Sequence, residues 1–313
     1  MKANTRIKIR NFFKKYGKTI IIVLVIWTII LVINYILGHL SKEAQPITTY
    51  TPHKAVMDDS VVPTKYQSKI EEIINNFINA CNDKDYDRAY NMLSTDCQEN
   101  VYPNKDDFIE YVDSVFDQKK IYNIQNFSNK NDYYIYDVTI LNDIMASGLT
   151  NEILETYEES FVIKNENDNL KLSIRGYIEN SKVDQMYEDD YIKITINNVK
   201  IDYETMTYSV KIRNKTDDVV VIEDFSENNE IILATDWGDR KPYGFYLEPI
   251  VVRAGENKNV ELTFTRYYDE YGNVNSLNFR NIRILKSYTG TEETRQTELD
   301  NATKIYSVSL DLK

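Results

Sequence analysis

The feature that most constrains this chain is a switch of hydrophobic period at Lys120. Upstream, Ile70, Ile73, Ile74, Phe77, Ile78 and Cys81 recur at steps of three and one, which lays an apolar stripe along one face of a helix. Asn82, Asp83, Lys84 and Asp85 break that stripe. Tyr86, Ala89, Tyr90 and Leu93 form a second short stripe, and Phe108, Tyr111, Val112, Val115 and Phe116 a third. Asn104 is a good N-cap for the third, with Asp106 and Asp107 in the first turn where the dipole favours acids. Downstream of Lys120 the period is two. Residues 122–127, 133–141, 157–164 and 170–179 alternate or run β-branched and aromatic, separated by Asn/Asp-rich turns. Residues 142–155 read as a loop with a short helix. Three helices and a four-stranded antiparallel sheet predict an α+β domain over residues 65–180, an ordinary domain size.

Residues 180–190 read as a boundary. From Tyr191 onward no good helix is found, and strands are expected at 192–201, 207–213, 219–223, 231–235, 243–247, 259–265, 278–286 and 304–312. That many short strands in so short a stretch predicts an all-β sandwich over residues 185–313.

The N-terminal part reads differently. Residues 1–18 carry seven Lys/Arg and no acid, and residues 19–37 carry no charge. Nineteen helical residues at ~1.5 Å each span roughly 28 Å, the thickness of a bilayer's hydrocarbon core. The run is longer than a signal-peptide core and no small-x-small cleavage site follows it. The expectation is a basic cytoplasmic tail at 1–18, an uncleaved transmembrane helix at 19–38 and a Pro-containing linker at 39–64. The excess of cations before the span places the folded part outside the cell membrane.

Charge and composition exclude several functions. Seven of the 37 basic residues lie in the tail, which leaves 30 against 49 acids in the rest. Phosphate binding needs a basic footprint, so nucleic acid is not an expected partner. With two cysteines and two histidines, a disulfide scaffold and a four-cysteine zinc site are excluded. Cys81 and Cys97 are expected to be free, buried thiols. His39 and His53 fall outside both predicted domains, so no histidine base or ligand is expected within one. Asp83-x-Asp85-x-Asp87 imitates an EF-hand start but has Arg88 where the loop needs glycine and Ser94 where it needs glutamate. The acidic turns at 188–190 and 236–239 read as solvated. Tyr111, Tyr136 and Asp137 offer acid–base groups in the first domain, although tyrosines on these faces read as core. No catalytic, cofactor-binding or metal-ligating residue is assigned, and no cofactor is expected.

The segments 77–80, 84–94, 102–103 and 108–112, reading Phe77-Ile78-Asn79-Ala80 and then Asp85-Tyr86-Asp87-Arg88-Ala89-Tyr90, are similar to the helical half of nuclear transport factor 2-like domains. The turn and strand at 254–264 resemble those of immunoglobulin-like extracytoplasmic domains of membrane-anchored bacterial proteins. The first resemblance implies a cone-shaped fold that hosts ketosteroid isomerase-like enzymes and also interaction modules of conjugation and type IV secretion channels. The 25 tyrosines, with abundant Asn, Ile and Lys, read as A/T-rich coding, and 266–271 is the best candidate for an aromatic patch. The expected function is a non-enzymatic single-pass membrane protein presenting two extracytoplasmic interaction domains. Its expected partners are the lipid bilayer and other membrane or cell-envelope proteins, with channel or envelope assembly as the most concrete role. The alternatives are a binding module for a small apolar ligand in the cone, or an enzyme using it.

Overall fold

The computed structural model describes residues 51–57, 59–130, 133–143, 156–166, 169–224, 230–243, 249–266 and 273–313. From Pro52 to Lys313 the chain forms one compact unit. Four helices come first: α1 (Thr64–Asn82), α2 (Tyr86–Met92), α3 (Thr95–Asn100) and α4 (Lys105–Val115). Each short helix starts on a side-chain cap that satisfies an otherwise orphan amide. Asp85 accepts from the Arg88 amide, Ser94 from that of Cys97 and Asn104 from that of Asp106.

These helices cover one face of an antiparallel sheet ordered β1 (Lys120–Lys130), β2 (Tyr133–Asn142), β3 (Thr156–Glu166) and β4 (Asn169–Ser173). Strand alternation decides which residues meet them. Tyr136, Val138 and Ile140 of β2 and Phe161 and Ile163 of β3 join Ile74, Phe77, Phe108 and Val112 in one core. Two of the intervening residues are apolar as well. Ile135 and Val162, register partners, pack with Ile178 and Tyr203 in a second cluster on the opposite face.

Residues 52–63, expected within a linker, are folded. Lys54 bridges Val61, the Asn126 amide donates to the Pro52 carbonyl, and Ala55 and Val62 are buried. The apolar Ala55 and Val62 give this segment a core side that its prolines conceal.

After β4 a left-handed turn, Arg175 at φ 57° and Gly176 at φ 65°, feeds β5 (Tyr177–Glu188). A Cβ on Gly176 would lie 2.7 Å from that of Tyr203, so both the conformation and the close approach demand glycine. β5 runs through the boundary expected at 180–190 and pairs with β6 (Ile192–Asp202). The second half then completes two sheets. One is ordered β12 (Asn257–Thr265), β7 (Thr205–Asn214), β6, β5. The other is β10 (Gly238–Arg240), β9 (Glu230–Thr235), β13 (Val274–Leu285), β8 (Val219–Glu223), β11 (Ile250–Val252), with β14 (Lys304–Asp311) on β13. Ile194, Ile196 and Val210 from the first share a core with Ile222, Leu233 and Phe279 from the second. β10, β11 and the six-residue helix α5 (Arg295–Asp300) had no sequence signal, because each is too short to show a period.

Two expectations are corrected. First, 52% of the described residues are strand and 21% helix, so the described part is mainly β rather than an α+β cone followed by a sandwich. The helix-side interior of the first sheet is filled by Phe77, Phe108, Phe161, Tyr136 and Tyr177, each fully buried, and on its other face Ile135 and Val162 are covered too. A cone open at one end needs space on the helix side, which these rings occupy. Second, no described helix is long and apolar enough to cross a membrane. α1 has 19 residues but is amphipathic, with Glu71, Glu72 and Lys69 on its outer side. The basic tail and the span expected at 19–38 lie outside the described residues, and no membrane placement is read from the structure. Residues 180–188, expected in the boundary segment, continue β5, and Ile135 and Val162 share an apolar cluster with Tyr203.

Candidate functional site

The outer face of β2 and β3 turns polar beyond the Ile135–Val162 pair. Asp137 stands opposite Ser160, and Thr139 opposite Glu158. The hairpin between β6 and β7 and the Arg175–Gly176 turn rise beside this patch, fixed by Gly176 N–H to Ser160 O and Tyr203 N–H to Gly176 O, both 2.7 Å. Together they enclose a cleft of about 900 Å³. Five carboxylic acids line it, Asp137, Glu158, Glu159, Asp202 and Glu204, against two cations, Arg175 and Lys200.

Lys200 is already paired with Asp202 at 3.2 Å. Among the described residues Asp137 receives only a long hydrogen bond from Ser160 Oγ, 3.5 Å. Burial, with Glu158 and Glu204 adding like charge, pushes the Asp137 carboxyl up to about 6, and the Ser160 hydroxyl opposes this. Burial also raises Asp202, against the pull of Lys200. A cleft that holds several carboxyls above their ordinary range is poised for a cation or a proton.

At the inner end of the cleft lies Glu159, 6% exposed. The Tyr111 hydroxyl donates to Oε2 at 2.9 Å and the Arg175 amide to Oε1 at 2.6 Å. Burial raises this carboxyl, and those two hydrogen bonds work against the rise. The Arg175 guanidinium sits 5.9 Å from the Tyr102 ring centre and 5.8 Å from that of Tyr111. The Tyr102 hydroxyl is enclosed and has no hydrogen-bond partner among the described residues.

The three acid–base candidates from the sequence are not brought together. Asp137 faces the cleft, Tyr111 reaches Glu159, and Tyr136 points to the helix side, where its hydroxyl meets His53 Nδ1 at 2.7 Å. His53, set aside as a linker residue, is 8% exposed and bonds Glu71 through Nε2. Glu159, Arg175 and Glu204 were missed. Its place in a strand two residues before Phe161, on the same face, was the available hint for Glu159.

The remaining motifs are structural. Asp85 caps α2, and Asp87 pairs with Lys105. Asp189 Oδ1 accepts from the Tyr191 and Ile192 amides, while Glu188 pairs with Lys193 and Lys215. Asp236 accepts from the Asn273 amide and the Asn275 side chain. Cys81 and Cys97 are free and buried. Of the aromatic patch at 266–271, residues 267–271 lie outside the described residues, and Arg266 instead bonds Tyr133 across the two halves at 3.0 Å. Among the described residues no group of three or more His, Cys, Asp or Glu has the arrangement of a metal site.

Comparison with protein-family models, with curated proteins and with solved structures returns no match, so the resemblances read from the sequence gain no support and the site is interpreted on its own geometry.

Proposed function

We propose that the chain is a non-enzymatic binding module whose cleft receives the cationic group, ammonium or guanidinium, of a partner. One observation carries this reading: Asp137 sits partly buried beside Glu158 and Glu204, and among the described residues it receives a single weak hydrogen bond. Like charges held together raise the free energy of the cleft, and a bound cation lowers it. An apolar ligand has no room on the helix side of the first sheet, because Phe77, Phe108 and Phe161 fill it. The two phenols expected beside Asp137 as acid–base partners are engaged instead by Glu159 and His53.

Calorimetric titration with tetralysine and with spermidine tests the reading and separates a peptide source from a polyamine. The expected result is salt-sensitive binding to the parent protein, weakened about tenfold or more by Asp137→Asn combined with Glu204→Gln. Near pH 6 binding should release protons, since the cation drives the Asp137 carboxyl to ionise. A folded parent protein that binds neither probe at millimolar concentration rules the reading out.

A further inference from the structure

The inner end of the cleft has features that the carboxylate patch does not explain. Tyr102 and Tyr111, both almost fully buried, turn ring faces toward one guanidinium. Glu159, also buried, lies beneath them with its carboxyl raised by burial. The Tyr102 hydroxyl is enclosed and unpartnered among the described residues, yet it feels the charges of both Arg175 and Glu159, two residues that line the cleft. Aromatic faces around a carboxylate form a receptor for a planar, weakly hydrated cation. In this structure the cation comes from Arg175, an exposed residue on a turn in the left-handed conformation.

Building on the cleft's proposed role as a cation site, we propose that Tyr102, Tyr111 and Glu159 form a guanidinium subsite that Arg175 occupies in the free protein, and that an arginine side chain of the partner takes its place. The exchange forms and breaks no covalent bond. One guanidinium leaves the aromatic faces for solvent, which its exposed position allows, and another enters with its donors toward Glu159. The Tyr102 hydroxyl is an acceptor available to the entering group. The anchoring Arg175 amide bond to Glu159 is made by the backbone, so it survives the displacement of the side chain.

The test compares tetra-arginine with tetralysine on the parent protein and on Arg175→Asn and Arg175→Gly. Both replacements tolerate a left-handed backbone and keep the amide, so the turn is retained. Removing the built-in competitor should tighten tetra-arginine binding about tenfold, the scale of one desolvated cation–π contact, and change tetralysine much less. Adding Glu159→Gln should abolish that gain. Equal tetra-arginine affinity with and without the Arg175 side chain overturns the inference, as does a gain that persists with Glu159→Gln. Tetralysine binding to the parent protein reports separately on the cleft, so the subsite can fail while the cleft reading stands.

Discussion

The imidazole of His53 and the hydroxyl of Tyr136 meet at 2.7 Å although 83 residues separate them in the chain. Glu71 of α1 holds the other ring nitrogen at 2.8 Å. A neutral ring that donates from Nε2 to the Glu71 carboxylate accepts at Nδ1 from Tyr136, a tautomer assigned from this network. Tyr136 is fully buried, so His53 is its hydroxyl's substitute for water. The chain of three side chains ties the folded segment 52–63 to both α1 and β2.

His53→Ala should therefore destabilise by about 1–3 kcal/mol from the stranded Tyr136 hydroxyl alone, with lost packing in addition. Tyr136→Phe in the same background should recover part of that loss. Chemical denaturation of the two single variants and the double variant gives the coupling, expected at about 1 kcal/mol or more. Strict additivity would show that the pair does not interact.

Phe77 is fully buried against Phe161 and Phe108, with ring centres 5.5 and 6.4 Å away. Phe77→Ala should cost about 3–5 kcal/mol, the usual range for emptying an aromatic site. A loss below about 1 kcal/mol in the denaturation midpoint would contradict the packing described.

Asp137 makes a prediction of opposite sign. Its folded carboxyl titrates at about 6, above the ordinary 3.8, so the folded state binds the extra proton between those values. Stability contributed by this group is present in acid and is lost as pH rises from about 4 through 6, up to ~3 kcal/mol. Asp137→Asn should stabilise the protein at pH 7 and flatten the stability profile in that window, while weakening cation binding. An unchanged pH profile refutes the assignment.

Arg283 of β13 is 6% exposed, and its Nε and Nη1 are enclosed with no partner among the described residues. Its register neighbours, Val221 and Ile305, are apolar. A buried guanidinium with no carboxylate partner among the described residues keeps the cost of desolvation and lacks the attraction that offsets it. Arg283→Met should raise the thermal midpoint, by the equivalent of about 1–4 kcal/mol. A lower midpoint would mean that the guanidinium is held by something outside the described residues.

Gly176→Ala should destabilise by more than about 1 kcal/mol, since it adds left-handed strain to a 2.7 Å approach to Tyr203. Because this turn carries the junction between the two halves, the variant should also lose the cleft. Retention of both stability and tetralysine binding would show that the junction tolerates a shift.

The local elements were legible because their signals are local. The stripe from Ile70 to Cys81 specifies α1, Asn104 starts α4, and alternation gives β1 to β3 nearly to their ends. Partnership between distant elements was not legible. Alternation says that Ile135 and Tyr136 point to opposite faces, but not that both faces are buried, and so it could not show that the halves fuse through Ile135, Val162 and Tyr203. The prolines of 52–63 signalled a linker, whereas burial of Ala55 and Val62 and the His53 bonds are long-range contacts that no window of sequence contains. The same holds for the cleft. Asp137, Glu159, Arg175 and Glu204 are spread along the chain from β2 to the β6–β7 hairpin and become a site only when a glycine at 176 lets that hairpin close on the sheet. Periodicity fixes which way a side chain faces on its own element; what it faces depends on packing free energy summed over the whole fold, and that was decided by the tertiary structure alone.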